Sequence, residues 1–161
     1  MKLIAHRGNI KGLNPLEENN PEYIDFAIEK GYDVEIDIRY DTFENNFYLG
    51  HDEPQYLVTP YWLAQRMEKL WIHCKNIDAL NYFVSKTGGY NYFWHQEDDF
   101  TLTSKNYIWT YPGKTYTPNS VIVMPEWNID VSNFSDLLVY GCYAICSDNV
   151  EYIRKKEEKI L

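Results

Sequence analysis

Short apolar runs separated by helix-like stretches recur along the chain, and three of them lead into histidines at a constant interval. His51, His73 and His95 stand 22 residues apart. A βα unit with short loops consumes about that length. The spacing therefore predicts strands whose C-terminal ends carry a histidine, as His6 ends the run "LIAH". The runs "LIAH", "VEIDI", "LWIHCK", "YFWHQ", "YIWTY", "VIVMPE" and "YAICSD" give seven candidate parallel strands, whereas "FYLGH" reads as the return arm of a hairpin through "DTFENN". Between them, "NPEYIDFAIEKG", "TPYWLAQRMEKL" and "NIDALNYFVSKTGG" show helical apolar spacing, with Pro near the start of the first two and Gly at the end of the first and third. From "NYIWTYPGKTYTPNS" to "PEWNIDVSNFSD" helix signals are weak, so loops or single turns are expected there. Strands alternating with helices argue for a parallel α/β arrangement, in which ligands bind where the strand C-termini converge.

At 161 residues, with 45% hydrophobic and 17% aromatic residues, the chain suits one globular domain spanning 1–161. A formal net charge of -9 repels nucleic acid and anionic membranes, so a phosphate-bearing ligand would need local cations or a metal. The N-terminal apolar run, Leu3 to Ala5, is far short of a leader, and no stretch approaches membrane-spanning length, which predicts a cytoplasmic protein. Cys74, Cys142 and Cys146 lack paired metal-ligand spacing and read as reduced, mostly buried thiols.

The chemistry is concentrated in "VEIDIRYDTFENNFYLGHDEP", residues 34–54. Side chains alternate along a strand, so Glu35 and Asp37 share one face while Val34, Ile36 and Ile38 share the other. By itself this fits an antiparallel strand with one wet face. In a parallel barrel the carboxylates would point inward, where they are costly unless bound to a cation such as Mg²⁺ or Ca²⁺. His6 and His51 could face one another across that cation, and Arg7 could grip a phosphate with its fork of donors. Two imidazoles, a carboxylate-held metal and an arginine are the parts needed to cleave a phosphodiester.

"AHRGN", Glu18-Asn19, Ala27, Gly31, "VEIDI" and "HD", in this order and spacing, resemble the N-terminal signature of glycerophosphodiester phosphodiesterases, within the phospholipase-C-like phosphodiesterase superfamily, over residues 3–54. The resemblance implies a compact TIM-type (β/α) barrel of seven or eight parallel strands. Because 161 residues fall well short of the roughly 250 usual for such a barrel, some outer helices should be shortened or missing. It implies His6 and His51 as the acid/base pair, Arg7 as a phosphate contact, Glu35 and Asp37 as metal ligands, and Glu18 as support near the metal and Arg7. The family's third strand reads like "EIK"; here "HCK" keeps Lys75 as a phosphate contact and puts His73 in place of a glutamate ligand. That exchange shifts metal preference from Mg²⁺ or Ca²⁺ toward Mn²⁺ or Zn²⁺. "AICSDNVEYI" is similar to the family's last strand and closing helix.

His95, with Gln96 or Asp98, is expected at the rim to contact the substrate headgroup, and Trp127, beside Glu126, to stack on a ligand at the mouth; strand or loop packing competes with each assignment. The expected activity is metal-dependent hydrolysis of a glycerophosphodiester or similar small phosphodiester. The competing readings are a metal- or phosphate-binding domain without efficient turnover, and intramolecular transfer giving a cyclic phosphate. Aromatic surface exposed by missing helices further predicts a partner chain, most simply a second copy.

Overall fold

Alternating faces decide the layering. In the computed structural model, which describes residues 1–86, 88–130 and 141–160, ten strands form one curled mixed sheet. The order along the chain is β1 (Lys2–His6), α1 (Pro21–Glu29), β2 (Asp33–Asp41), β3 (Asn46–Leu49), β4 (Tyr56–Val58), α2 (Pro60–Arg66), β5 (Leu70–Cys74) and α3 (Ile77–Ser85). Then follow β6 (Asn91–Phe93), β7 (Phe100–Leu102), β8 (Ile108–Thr110), β9 (Ser120–Val123), a single 3₁₀ turn (Pro125–Trp127), β10 (Ala144–Ser147) and α4 (Val150–Ile160). The first three helices begin where the side chains of Asn20, Thr59 and Asn76 accept the backbone N–H of Glu22, Trp62 and Ala79.

On β2, Val34, Ile36 and Ile38 face outward into a core shared with Ile24 and Ala27 of α1 and Phe83 of α3. The opposite faces of the central strands turn Ile4, Trp71, Phe93, Trp109, Val121 and Cys146 into a second core inside the curl. Aromatic rings fill that interior: Trp71 lies 5.2 Å from Tyr107, Phe93 lies 4.5 Å from Trp109, and Tyr107 stacks on Tyr143 at 4.0 Å. Cys74 and Cys146 are buried free thiols and Cys142 is partly covered.

The expected closed parallel barrel does not form. All seven expected segments are strands, and they pair in parallel as β8-β9-β10-β1-β2-β5-β6, but no ladder joins β6 to β8. The stretch between them, "WHQEDDFTLTSKNY", returns as β7, which pairs antiparallel with β8 and so occupies the edge that closure requires. A parallel crossover usually runs through a helix, and this segment spends its residues on an acidic loop and a hairpin instead. β6 and its flanking residues meet this hairpin through isolated bonds, among them Ser104 N–H to the Tyr92 carbonyl at 2.8 Å, Tyr92 N–H to Ser104 Oγ at 3.0 Å, Ser104 Oγ to the Tyr90 carbonyl at 3.0 Å and Thr101 Oγ1 to the Trp94 carbonyl at 2.9 Å. The described residues include four α-helices, too few to ring a barrel. Loops and the 3₁₀ turn replace helices after β8 and β9 up to residue 130; the remainder of the weak-helix stretch, 131–136, lies outside the described residues.

The hairpin through "DTFENN" forms as β2 and β3, and its placement is decisive. Val34 pairs with Ala5 on one side and Leu70 on the other, while Ile38 pairs with Leu49 and Cys74. β1 and β3 therefore share one edge of β2, running toward each other and meeting at the backbone of Glu35 to Asp37. Arg7 N–H donates to the Glu35 carbonyl at 3.0 Å and Gly50 N–H to the Asp37 carbonyl at 3.1 Å. Among the described residues no helix is long and apolar enough to cross a membrane.

Phe47 anchors the hairpin, its ring 4.6 Å from Tyr40 and 4.7 Å from Tyr82 of α3. Phe47→Ala empties a fully buried position and is expected to cost about 3–5 kcal/mol, read as a lower urea midpoint with unchanged slope.

Candidate active site

Three registers bring the chemistry to one level. His6 pairs with Glu35, Asp37 with His73, and His73 with Phe93. His6, Arg7, Glu35, His51, His73, Lys75 and His95 line one side of a cavity of about 370 Å³. Trp109, Tyr111, Pro112, Val123, Met124 and Trp127 make its apolar wall.

Glu35 and Asp37 are buried, 2% and 0% exposed, and side by side. Asp37 lies 2.9 Å from Arg7 Nε, 3.2 Å from His73 Nδ1 and 3.8 Å from Lys75 Nζ. Asn19 pins it, accepting the Asp37 backbone N–H at 2.9 Å and donating Nδ2 to its carboxylate at 3.1 Å. Burial alone would raise the Asp37 carboxyl, but His73, Arg7 and Lys75 hold it well below the usual carboxylate range. Glu35 goes the other way: burial and the neighbouring Asp37 charge push its carboxyl up.

His73 completes a metal-type cluster with them. One ligand atom from each of Glu35, Asp37 and His73 falls within 4.8 Å of the others. His73 donates Nε2–H to the His95 carbonyl at 2.8 Å, which turns Nδ1 toward the carboxylates, 3.2 Å from Asp37 and 3.8 Å from Glu35. A backbone acceptor behind the ring is the usual way a ligating imidazole is oriented. Buried oxygens Glu35 Oε2 and Asp37 Oδ1 have no hydrogen-bond partner among the described residues. Both observations fit a divalent cation. The other acidic cluster, His6, Glu18 and Asp148, does not, because the Asn9 amide bonds both carboxylates, at 3.0 Å to Glu18 and 2.8 Å to Asp148.

Each of the two histidines expected to act as acid and base has its own carboxylate. His6 donates Nδ1–H to Asp148 at 2.9 Å, leaving Nε2 for a ligand. Burial would lower the His6 value, but the Asp148 hydrogen bond and the Glu35 charge outweigh it and raise it. His51 donates Nδ1–H to Asp52 at 2.7 Å; burial lowers its value, offset only in part by Asp37. Arg7 sits at φ 51, a left-handed conformation that a non-glycine residue keeps only when its surroundings enforce it. Its Nη1 donates to Glu18 at 3.0 Å, and Glu18 is not among the cavity-lining residues, so it braces Arg7 from behind.

Of the rim candidates, His95, Gln96 and Trp127 line the cavity, with Trp127 63% exposed, and Asp98 is not among the lining residues. Glu126 turns to the end of β10, accepting Ser147 Oγ at 2.7 Å and the Asp148 N–H at 2.9 Å. His51 reaches the cavity from the antiparallel β3 and not from the end of a parallel strand. Asp148 and Asn9 join the site without a role expected from the sequence. Asp148 had a signal, a carboxylate directly after an apolar strand, but its partner His6 is 142 residues away.

Comparison with protein-family models, with curated proteins and with solved structures found no match to the chain.

In metal-free protein the His6 imidazole is expected to titrate above the ordinary value of 6.5 and His51 below it. Asp148→Asn removes the charge that favours His6 imidazolium while burial remains, so the His6 midpoint should fall below that of the parent. Proton NMR of the ring C–H signals measures both, and an unmoved His6 midpoint would refute the assignment to Asp148.

Proposed function

We propose that the chain is a divalent-metal-dependent phosphodiesterase that hydrolyses a glycerophosphodiester or a similar small phosphodiester, as its resemblance to the glycerophosphodiester phosphodiesterases implies. The observation that carries this reading is the convergence, on one cavity of about 370 Å³, of two carboxylate-backed histidines, a Glu-His pair joined to buried Asp37, and the cations Arg7 and Lys75.

Glu35, Asp37 and His73 would hold Mg²⁺, Ca²⁺ or Mn²⁺, which when bound supplies electrostatic stabilisation to the phosphoryl oxygens. Arg7 and Lys75 orient the phosphate and offset its charge in a protein of net charge -9. His51, exposed enough to meet water and with its value lowered, accepts the proton of the attacking water at Nε2. As the new P–O bond forms and the bond to the alcohol breaks, His6 delivers its Nε2 proton to the departing oxygen. Asp148 stabilises the protonated His6 before transfer. The products are a phosphomonoester and an alcohol, and the apolar wall of Trp109, Val123 and Met124 supports one arm of the substrate.

Turnover of bis(4-nitrophenyl) phosphate and of glycerophosphodiesters is expected with Mn²⁺ or Mg²⁺ and absent with chelator. His6→Ala and His51→Ala should each lower kcat by about 10²–10⁴-fold. Phosphorus NMR should show a phosphomonoester; a cyclic phosphate would mean attack by a substrate hydroxyl instead. No hydrolysis with any of the metals would overturn the proposal.

Metal binding has its own readout. Mn²⁺ should raise the thermal midpoint of the parent, since a ligand that binds only the folded state stabilises it. The shift should vanish in Glu35→Gln/His73→Ala.

A further inference from the structure

We propose that Arg39 is the positioning residue for His51, an inference that rests on the reading of His51 as a proton-transfer group. Arg39 follows Glu35 and Asp37 at the same two-residue interval on β2, so one strand face carries both carboxylates and then a guanidinium. That guanidinium grips three consecutive carbonyls. Arg39 Nη1 donates to Gly50, and Nη2 donates to His51 at 2.7 Å and to Asp52 at 3.0 Å. No carboxylate is paired with Arg39 among the described residues; its donors are turned to the backbone that carries the histidine.

The loop needs such a hold. His51 follows the last residue of β3 by two positions, and the ladder ends at the Gly50 N–H bond to Asp37. The loop closes on itself through the Gln55 N–H bond to the Leu49 carbonyl at 2.9 Å. Gly50, at φ 144, permits a fold so tight that a Cβ there would overlap the Glu53 carbonyl. The imidazole's own partner, Asp52, is 88% exposed and competes with water, so it orients the ring without fixing where the backbone puts it. Arg39 supplies that placement, with charge-assisted bonds about twice as strong as neutral ones. A planar fork can serve three neighbouring acceptors, and a lysine ammonium cannot reproduce it.

The test is a double-mutant cycle in the full chain, with bis(4-nitrophenyl) phosphate and Mn²⁺. Arg39→Gln should lower kcat on the order of a hundredfold, the usual effect of displacing a reacting group by about 1 Å, with KM changed less than about twofold. Arg39→Lys, which keeps the charge, should fall between Arg39→Gln and the parent, and it serves alone if Arg39→Gln does not fold. In the His51→Ala background Arg39→Gln should add no further loss; a full additional loss there would overturn the proposal. Nitrogen-15 spectra of the imidazoles decide independently of turnover: Arg39→Gln or Arg39→Lys should shift or broaden His51 and leave His6 unmoved. If the parent hydrolyses nothing, the functional reading falls while these spectra still judge the clamp, and an unchanged His51 signal refutes it.

Discussion

Two carboxylates buried side by side on one strand are the constraint to which the rest of the site answers. Glu35 and Asp37 sit where isolated charge is expensive, and each surrounding polar group reduces that cost. Arg7 adopts a left-handed backbone to reach Asp37, Asn19 brackets the same residue from backbone and side chain, and His73 is turned by the His95 carbonyl so that Nδ1 faces both oxygens. What is left over, two buried oxygens and an imidazole nitrogen, has the chemistry of a cation site. Stability and function thus pull on the same atoms, which is common where a fold stores unfavourable electrostatics for use.

Much of this was legible because it is local. The two-residue period of "VEIDI" separates the carboxylates from the outer core, and the first two helices open on the Pro residues read near their starts. His6, His51, His73 and His95 share one cavity, as the recurring placement after apolar runs suggested. Closure of the sheet was not legible. Nothing in a count of strands reveals that "DFTLTS" will form a hairpin with β8 and occupy the edge that closure requires, because a three-residue strand behind an acidic loop does not stand out by its apolar pattern. Asp148 and Arg39 were missed for a related reason: their partners lie 142 residues off in one case and are backbone carbonyls in the other, and neither leaves a periodic trace.

The hairpin shows how a short chain gains a second histidine without a second βα unit. β1 ascends one edge of β2 and stops at Glu35; β3 descends the same edge and stops at Asp37. The two strand ends bring Arg7 and Gly50 onto neighbouring carbonyls, so His6 and His51 are placed by the strand that also carries the carboxylates. Only four residues of β3 are needed, pinned by Phe47 against α3.

The seam between β6 and β7 interrupts the sheet on one side of the cavity. His6, His73, Glu35 and Asp37 stand on strands tied by continuous ladders from β10 through β1 and β2 to β5; Trp109 and Tyr111 belong to the hairpin side, which is laddered to β10 through β9 but joined to β6 only by isolated bonds and by the packing of Phe93 on Trp109. A boundary with few backbone bonds separates at lower free energy than a ladder. The apolar wall of the cavity therefore straddles that boundary: Trp109 and Tyr111 sit beside the few bonds to β6, while Val123 and Met124 stay fastened to β10.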